Sequence, residues 1–396
     1  MFESLDPMPP DAILGLMQLY REDPREEKID LGVGVYKDAS GATPVLRAVK
    51  AAEARLQQQE ETKAYIGPAG EERYNEQIQR LVLGAALSQA LTERAVCVQT
   101  PGGCGALRVG AELLRRGPEV PTVHVPDPTW ANHVPLLGDA GLEIQPYPYL
   151  DRETSGLRFD AMAGYLEKLG PRDVVLLHGC CHNPCGVDLD RAQWQAVLEL
   201  AQDRGFLPFV DLAYQGFGEG LEEDAHGVRL LAESLPELVV ATSCSKNFGL
   251  YRERTGAILL LSGSAGDAAT TRSQVLNVIR GIYSMPPAHG GAVVDTILAD
   301  PVLRVDWEEQ LAEMRDRING LRARLVACFA QRGDSGRFAF IAQQRGMFSF
   351  LGISPGQVAA LRSEHGIYMV DSSRINVAGV NEENIDAFCA AVIATL

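Results

Sequence analysis

The sequence predicts an α/β protein in two parts: a mostly parallel sheet flanked by helices, and a smaller α+β portion nearer the C-terminus. Three observations carry this. From residue 45 to about 300, short apolar runs alternate with helix-like stretches. From about 302 the pattern becomes one apolar stripe of helical period, followed by short mixed elements. The chain has 396 residues, enough for two domains with about three quarters of the unfolded surface buried.

The elements follow in order. Residues 1–12 carry three prolines and are expected to form an extended arm. Val123–Val125, Val174–Leu177, Leu207–Val210 and Leu238–Ala241 read as buried strands, and Arg191–Gln202 as a helix between two of them. Sheets of this kind place ligands beyond the carboxyl ends of their strands, so the residues just after these runs carry most of the information. Trp307, Leu311, Met314, Ile318, Leu321, Leu325 and Cys328 recur at spacings of four and three. That is one face of a long helix, read as an interdomain helix rather than a coiled coil. Phe338–Phe340, Met347–Phe350 and Arg374–Val377 are expected as short strands of the smaller part.

Composition narrows the function. A net charge of −16 argues against nucleic acid or an anionic membrane as partner. An anionic small substrate would need locally placed arginines. The start, Met1 to Asp6, has no basic and then apolar export signal, and Ala257–Leu261 is far too short to span a membrane. Eight cysteines in such a chain read as reduced thiols, so a cytoplasmic location is expected.

Five motifs could carry chemistry. Pro101-Gly102-Gly103-Cys104-Gly105-Ala106-Leu107 is a glycine-rich turn running into the helix that contains Val109–Leu114. It is either a plain turn or an anion cradle. Gly32-Val33-Gly34 lacks the third glycine of a dinucleotide fingerprint and reads as a place of close backbone approach. Cys180-Cys181-His182-Asn183-Pro184-Cys185, with His178 nearby, is too tightly spaced for a zinc site, and buried thiols are the better reading. Asp211 ends an apolar run and is either a helix cap or a buried carboxylate with a partner. Ser243-Cys244-Ser245-Lys246-Asn247-Phe248 ends the next run, with Arg254 eight residues after the lysine. A lysine there is either snorkelling or used covalently. Taken together, an amine, an anion, a phosphate cradle and an arginine at strand ends describe a pocket for pyridoxal phosphate. No metal is expected.

These residues also carry a resemblance. Gln99–Leu107, Asp127–His133, His178–Gly186, Asp211–Phe217, Ser243–Arg254, Tyr283–Gly290 and Gly346–Phe350 resemble, in order, the motifs of the aspartate and aromatic amino-acid aminotransferases, class-I members of the fold-type-I pyridoxal phosphate enzymes. The likeness runs from about Asp11 to the C-terminus. It implies a seven-stranded, mostly parallel cofactor-binding domain over 45–301. It also implies a small domain built from 13–44 and 302–396.

The resemblance also implies roles. Lys246 matches the lysine that holds the cofactor covalently and then moves the substrate's proton, Asp211 the carboxylate beside the pyridine nitrogen, and His133 the group bonded to that aspartate. Trp130 matches the indole stacked on the ring, and Asn183 and Tyr214 the donors to its phenolic oxygen. Gly103, Cys104, Ser243, Ser245 and Arg254 occupy phosphate-binding positions, joined by Tyr65 from the other subunit of a homodimer. Arg374, with Gly34 beside it, matches the grip on the substrate α-carboxylate. Trp130 and Asn183 also border the substrate. Arg280 of the partner matches the arginine for a side-chain carboxylate. The implied reaction is transamination of aspartate, or of an aromatic amino acid, with 2-oxoglutarate.

Some positions depart from the pattern. Cys104 stands where a hydroxyl is usual, Cys185 where Thr is common, Cys244 where a larger residue is frequent. Met285 and Ala64 fit neither branch, whereas Val35, Lys37 and Thr43 look like the aspartate branch. Two other readings compete. A lyase or synthase on the same fold would not need Arg280. A ligand-sensing regulator would need a DNA-binding domain, and the region before Asp11 leaves no room for one.

Overall fold

The computed structural model describes residues 2–7, 12–334 and 336–396. Phe2–Ser4 forms a 3₁₀ turn, so the described part of the expected arm is not wholly extended. The rest of that segment, 1 and 8–11, lies outside the described residues. The chain divides into two compact units. The large one is Pro44–Arg317 with Gln344–Gly346; the small one is Met1–Thr43, Ile318–Gln343 and Met347–Leu396.

The large unit is built on seven strands: β1 (Ala95–Pro101), β2 (Thr122–Asp127), β3 (Glu143–Pro148), β4 (Asp173–His178), β5 (Leu207–Leu212), β6 (Leu238–Ser243) and β7 (Thr255–Leu261). Their order is β1-β7-β6-β5-β4-β2-β3. Only β7 runs antiparallel to its two neighbours. The central strands are buried on both faces, which is why Val174–Leu177 and Leu238–Ala241 are continuous apolar runs without alternation. Val98, Val123, Leu176, Phe209, Ala241 and Ile258 belong to one core cluster. The helix Arg191–Arg204 is delimited by a capping box between Asp190 and Gln193 and by Gly205 in the left-handed region at φ 76°.

The long helix is Pro301–Gln331, and all seven residues of the predicted stripe are buried. The division between units falls inside this helix, after Arg317, and not at its start near 302. The reason is its N-terminal half. The Trp307 indole donates to the Asn247 carbonyl at 2.7 Å and stacks on Phe248 with centroids 4.3 Å apart. Leu311 packs onto Gly216, where no Cβ would fit. That half therefore belongs with the large unit's strand-end turns.

In the small unit, Ile29–Asp30 pairs in parallel with Ile367–Tyr368, and Phe348–Phe350 pairs antiparallel with Arg374–Asn376. The strand expected over Phe338–Phe340 is absent; a 3₁₀ helix runs over Ala339–Ala342. Phe338 packs on Phe329 with ring centroids 4.2 Å apart, and Ile341 N–H closes a turn onto the Phe338 carbonyl. Among the described residues, no helix is long and apolar enough to cross a membrane.

Candidate active site

Three adjacent strands, β4, β5 and β6, end beside one another in the large unit, and their last residues carry the polar groups. Asp211, near the end of β5, is buried and accepts a hydrogen bond from His133 Nε2 at 3.0 Å. Burial alone would raise its carboxyl. The His133 hydrogen bond and the neighbouring His133, His178 and Lys246 outweigh this and hold it below the ordinary carboxylate value. Asp211 is thus a partnered carboxylate rather than a helix cap. An ionised carboxylate only accepts, so the proton of that bond sits on His133. Thr129 Oγ1 lies 2.8 Å from His133 Nδ1 and 3.2 Å from His178 Nε2, bridging the two rings. Burial, helped by His133, pushes His178 down to about 3, so this ring is neutral. Trp130 stands edge-on to His133, with centroids 5.2 Å apart at 86°.

Lys246 sits in the turn that follows β6. Its Nζ lies 4.9 Å from the centre of the Tyr214 ring, in the turn after β5. Loss of water around the ammonium pushes its pKa down. Arg254 adds to this, while the Asp211 and Cys104 side chains oppose it. A lysine so placed gives up its proton more readily than one in water.

The glycine-rich segment differs from the sequence expectation. The helix begins at Gly102 and runs to Leu114, so Gly102, Gly103 and Cys104 form its first turn and not a loop before it. Sterics explain the glycines. Gly102 has φ +68°, and a Cβ there would lie 2.8 Å from an Arg254 guanidinium nitrogen. One on Gly103 would lie 3.3 Å from the Ser243 side chain. Arg254 itself has φ 52°, a strained conformation for a non-glycine residue and a feature concentrated at functional sites. Its guanidinium donates to Ser245 Oγ at 3.5 Å, and Ser245 N–H donates to Ser243 Oγ at 3.2 Å. A helix N-terminus, a guanidinium and two hydroxyls therefore face one another. That donor set suits a phosphate dianion.

Asn183 is buried in the loop after β4, and its Oδ1 has no hydrogen-bond partner, an orphan that a bound polar group would satisfy. Asp188 shapes this loop by accepting from the N–H groups of Cys181 and His182, both at 2.7 Å. The thiols of Cys180, Cys181 and Cys185 are buried, and Cys180 and Cys181 gather with the Asp224 carboxylate. Asp224 accepts from the N–H groups of Gly216, Gly218 and Glu219, so it holds a turn. Contacts with neighbouring groups and burial raise Cys180, and burial raises Cys185; neither offers a thiolate.

The remaining predicted residues lie elsewhere. Gly34 and Arg374 are in the small unit. Arg374 is buried, donates to the Gly32 carbonyl at 2.5 Å and lies over the Phe348 ring at 4.5 Å. A Cβ on Gly34 would meet that ring at 3.0 Å, and one on Gly32 would collide with Leu16, so both glycines serve close approach. Tyr65, 92% exposed, and Arg280, exposed and donating to Ser284 Oγ, lie on the surface of the large unit and do not join the cluster around Asp211. Sequence reasoning did not single out Thr129 as a site residue, although it lies inside the Asp127–His133 motif. It treated His178 only as a poor metal candidate.

Comparison with known proteins agrees with this geometry. The family model for aminotransferases of class I and II matches residues 26–392. The chain is 48% identical over 391 residues to an aromatic-amino-acid aminotransferase of Pseudomonas aeruginosa, covering 99% of this chain and 98% of that one. It is 46% identical to the aspartate aminotransferase of Escherichia coli over the full length of both. A crystal structure of the aromatic-amino-acid aminotransferase of Burkholderia pseudomallei, covalently bound to pyridoxal phosphate, superposes with a TM-score of 0.97 at 44% identity, covering 100% of this chain and 99% of that one. With a matching family model over most of its length and full-length relatives on the same fold, the chain belongs to the class I and II aminotransferases.

Proposed function

We propose that the protein is a pyridoxal phosphate-dependent aminotransferase that passes the amino group of aspartate, and of aromatic amino acids, to 2-oxoglutarate. The observation that carries this is the pairing of a depressed Lys246 amine with a partnered, ionised Asp211 beside a phosphate-shaped donor cradle. Pyridoxal phosphate, when bound, supplies a sink for the electron pair left when the substrate Cα–H bond breaks.

The chain's own residues do the rest. Gly103, Cys104, Ser243, Ser245 and Arg254 hold the phosphate. Asp211, oriented by His133, keeps a proton on the ring nitrogen. With the cofactor bound, Trp130 would pack on its ring, and Asn183 and Tyr214 would donate to its phenolic oxygen. Lys246 holds the cofactor and takes the substrate's Cα proton with its depressed amine. Arg374 and Gly34 receive the α-carboxylate, and a bidentate pair there would orient the Cα–H bond. A lyase reading gains nothing from Arg280, whereas a reaction with 2-oxoglutarate needs a second carboxylate anchor.

Tyr65 and Arg280 act in the partner's site of a homodimer; their exposure supports this reading. The expected location is the cytoplasm, which suits eight free cysteines. Mixing holoenzyme with single amino acids and following the cofactor's visible absorbance tests the reaction. Aspartate should bleach it, and 2-oxoglutarate should restore it. Lys246→Ala should lose the absorbance and at least about 10⁴-fold in turnover. A borohydride-reduced adduct on another lysine would refute the assignment. A Lys246→Ala chain mixed with an Arg280→Ala chain should regain activity in the hybrid site that keeps both residues.

A further inference from the structure

The small unit contains a buried cation that the reaction does not use. Arg322, in the C-terminal half of the long helix, is 1% exposed. Its Nη1 donates to Ser349 Oγ at 2.7 Å and to the Ile341 carbonyl at 3.2 Å, and its Nη2 donates to the Phe348 carbonyl at 2.7 Å. Burying a guanidinium is expensive, and a well-packed apolar side chain of similar volume is often tolerated or preferred in its place. What an apolar residue cannot do is hold a backbone carbonyl and a hydroxyl of one strand from the same planar fork.

That strand is the one against which Arg374 is built. Phe350 pairs with Arg374, and Phe348 with Asn376. The Phe348 ring carries the Arg374 guanidinium at 4.5 Å and touches the position of Gly34. Asn376 Nδ2 in turn donates to the carbonyls of Val33 and Val35, at 2.6 and 2.7 Å, and Arg374 to that of Gly32. The loop Gly32–Val35, the Arg374 guanidinium and the Phe348 ring thus form one contact set. Arg322 fixes its back, at the main chain of Phe348.

We propose that Arg322 is a positioning residue for α-carboxylate recognition: by clamping Phe348 and Ser349 it holds the Phe348 ring, and through it Arg374 and Gly34, in the geometry that receives the substrate. The proposal rests on the reading of Arg374 as the α-carboxylate grip. Every amino acid and every 2-oxo acid the enzyme uses carries that carboxylate. Loosening the clamp therefore weakens all substrates together and leaves the choice of side chain alone. Cofactor binding, which belongs to the large unit's residues, is untouched.

The test is steady-state kinetics on Arg322→Lys and Ser349→Ala holoenzymes, with aspartate, phenylalanine and 2-oxoglutarate. A lysine ammonium offers one nitrogen in place of two and cannot keep the planar spacing that reaches the Ser349 hydroxyl and the Phe348 carbonyl at once. Arg322→Lys should raise KM for all three substrates about tenfold. Its kcat should stay within threefold, with the aspartate-to-phenylalanine ratio and the cofactor's visible spectrum unchanged. Ser349→Ala should give a smaller rise, about threefold, of the same pattern, and it decides the matter alone if Arg322→Lys does not fold. Unchanged KM in a folded variant, a fall confined to kcat, or an altered aspartate-to-phenylalanine ratio overturns the proposal. Arg374→Ala separates the two layers. If it leaves KM unchanged, the assignment of Arg374 fails and the positioning role falls with it. If it raises KM while Arg322→Lys and Ser349→Ala do not, only the positioning role fails.

Discussion

His133 Nε2 and Asp211 Oδ2 lie 3.0 Å apart, and both side chains are buried. This bond, with the nearby Lys246 ammonium, offsets the cost of burying a carboxylate and leaves Asp211 ionised at neutral pH. An amide of the same shape would keep the packing and lose the charge. Asp211→Asn should fold and retain the phosphate grip, yet kcat should fall about 10³-fold, roughly 4 kcal/mol, in the range for removing one partner of a buried ionic contact. Single-turnover kinetics with aspartate would check this. A loss below about tenfold would mean the charge at Asp211 is dispensable.

Acid should destabilise the fold through two histidines. Burial holds His178 at about 3 and His182 well below its ordinary value. His182 lies between Tyr149 and His178, with centroids 4.4 and 4.0 Å away. Between the folded and unfolded pKa values the unfolded chain binds more protons, so stability rises with pH across that window and is lost as pH falls below about 6.5. From pH 6.5 to 5 the His178 ring should cost about 2 kcal/mol, and His182 acts in the same direction. Asp211 adds the same sign only in stronger acid, as its carboxyl is depressed rather than raised. Urea unfolding from pH 8 to 5 should show this slope, and His182→Phe should make it shallower. A slope unchanged by the substitution would place the acid sensitivity elsewhere.

How much of this was legible in the sequence depended on whether a residue had an inexpensive structural reason to be where it is. Lys246 and Asp211 each had an ordinary alternative, a snorkelling lysine and a helix cap, and it was their joint placement after buried apolar runs, where an unpartnered charge is costly, that pointed to a site. The Gly102–Gly105 segment misled in detail. Glycine disfavours helix, so the segment read as a turn. Sterics against Arg254, Ser243 and Pro101 override that preference, and the helix starts there. The aromatic run Phe338–Phe340 read as a strand from propensity, but packing of Phe338 on Phe329 took it into a 3₁₀ turn. Thr129 was illegible for a different reason. Its value is the bridge to His178, 49 residues away in sequence, and no local pattern encodes that contact.

Cys104 should weaken the phosphate grip. It occupies the first turn of the Gly102–Leu114 helix, and in the proposed function its side chain shares the phosphate with Ser243, Ser245 and Arg254. A thiol is a weaker donor than a hydroxyl. Cys104→Ser should tighten pyridoxal phosphate by up to about 1 kcal/mol, about fivefold in Kd, the net scale of one hydrogen bond. Equilibrium titration of apoenzyme with cofactor measures it. Unchanged or weaker affinity would show that the backbone donors and Arg254 already saturate the phosphate.

The substrate range follows from residues that pull in opposite directions. In the proposed function Arg280 supplies a charge for the side chains of aspartate and 2-oxoglutarate. An aromatic ring leaves that charge unpaired, so the guanidinium must stay hydrated or turn away. It is exposed and held by Ser284 Oγ, a contact it can exchange for water at little cost. Ala64 is small and would leave space for a ring near Tyr65, which is 92% exposed. Met285 is flexible and apolar, so it can repack against a ring where an amide would need a partner. Lys37 forms an ion pair with Asp30 at 2.9 Å, and Thr43 donates to the Tyr36 carbonyl at 2.9 Å, so both fix the segment that carries Gly34 and do not supply charge to a side chain. Aspartate should therefore lead, with phenylalanine and tyrosine within about two powers of ten in kcat/KM, a gap of roughly 3 kcal/mol. Steady-state measurement with 2-oxoglutarate as acceptor decides it. A ratio above about 10⁴ in favour of aspartate would mean that Ala64 and Met285 do not widen the pocket and that the Arg280 charge alone sets the choice, and one above about 10⁴ in favour of phenylalanine would mean that the Arg280 charge does not set it.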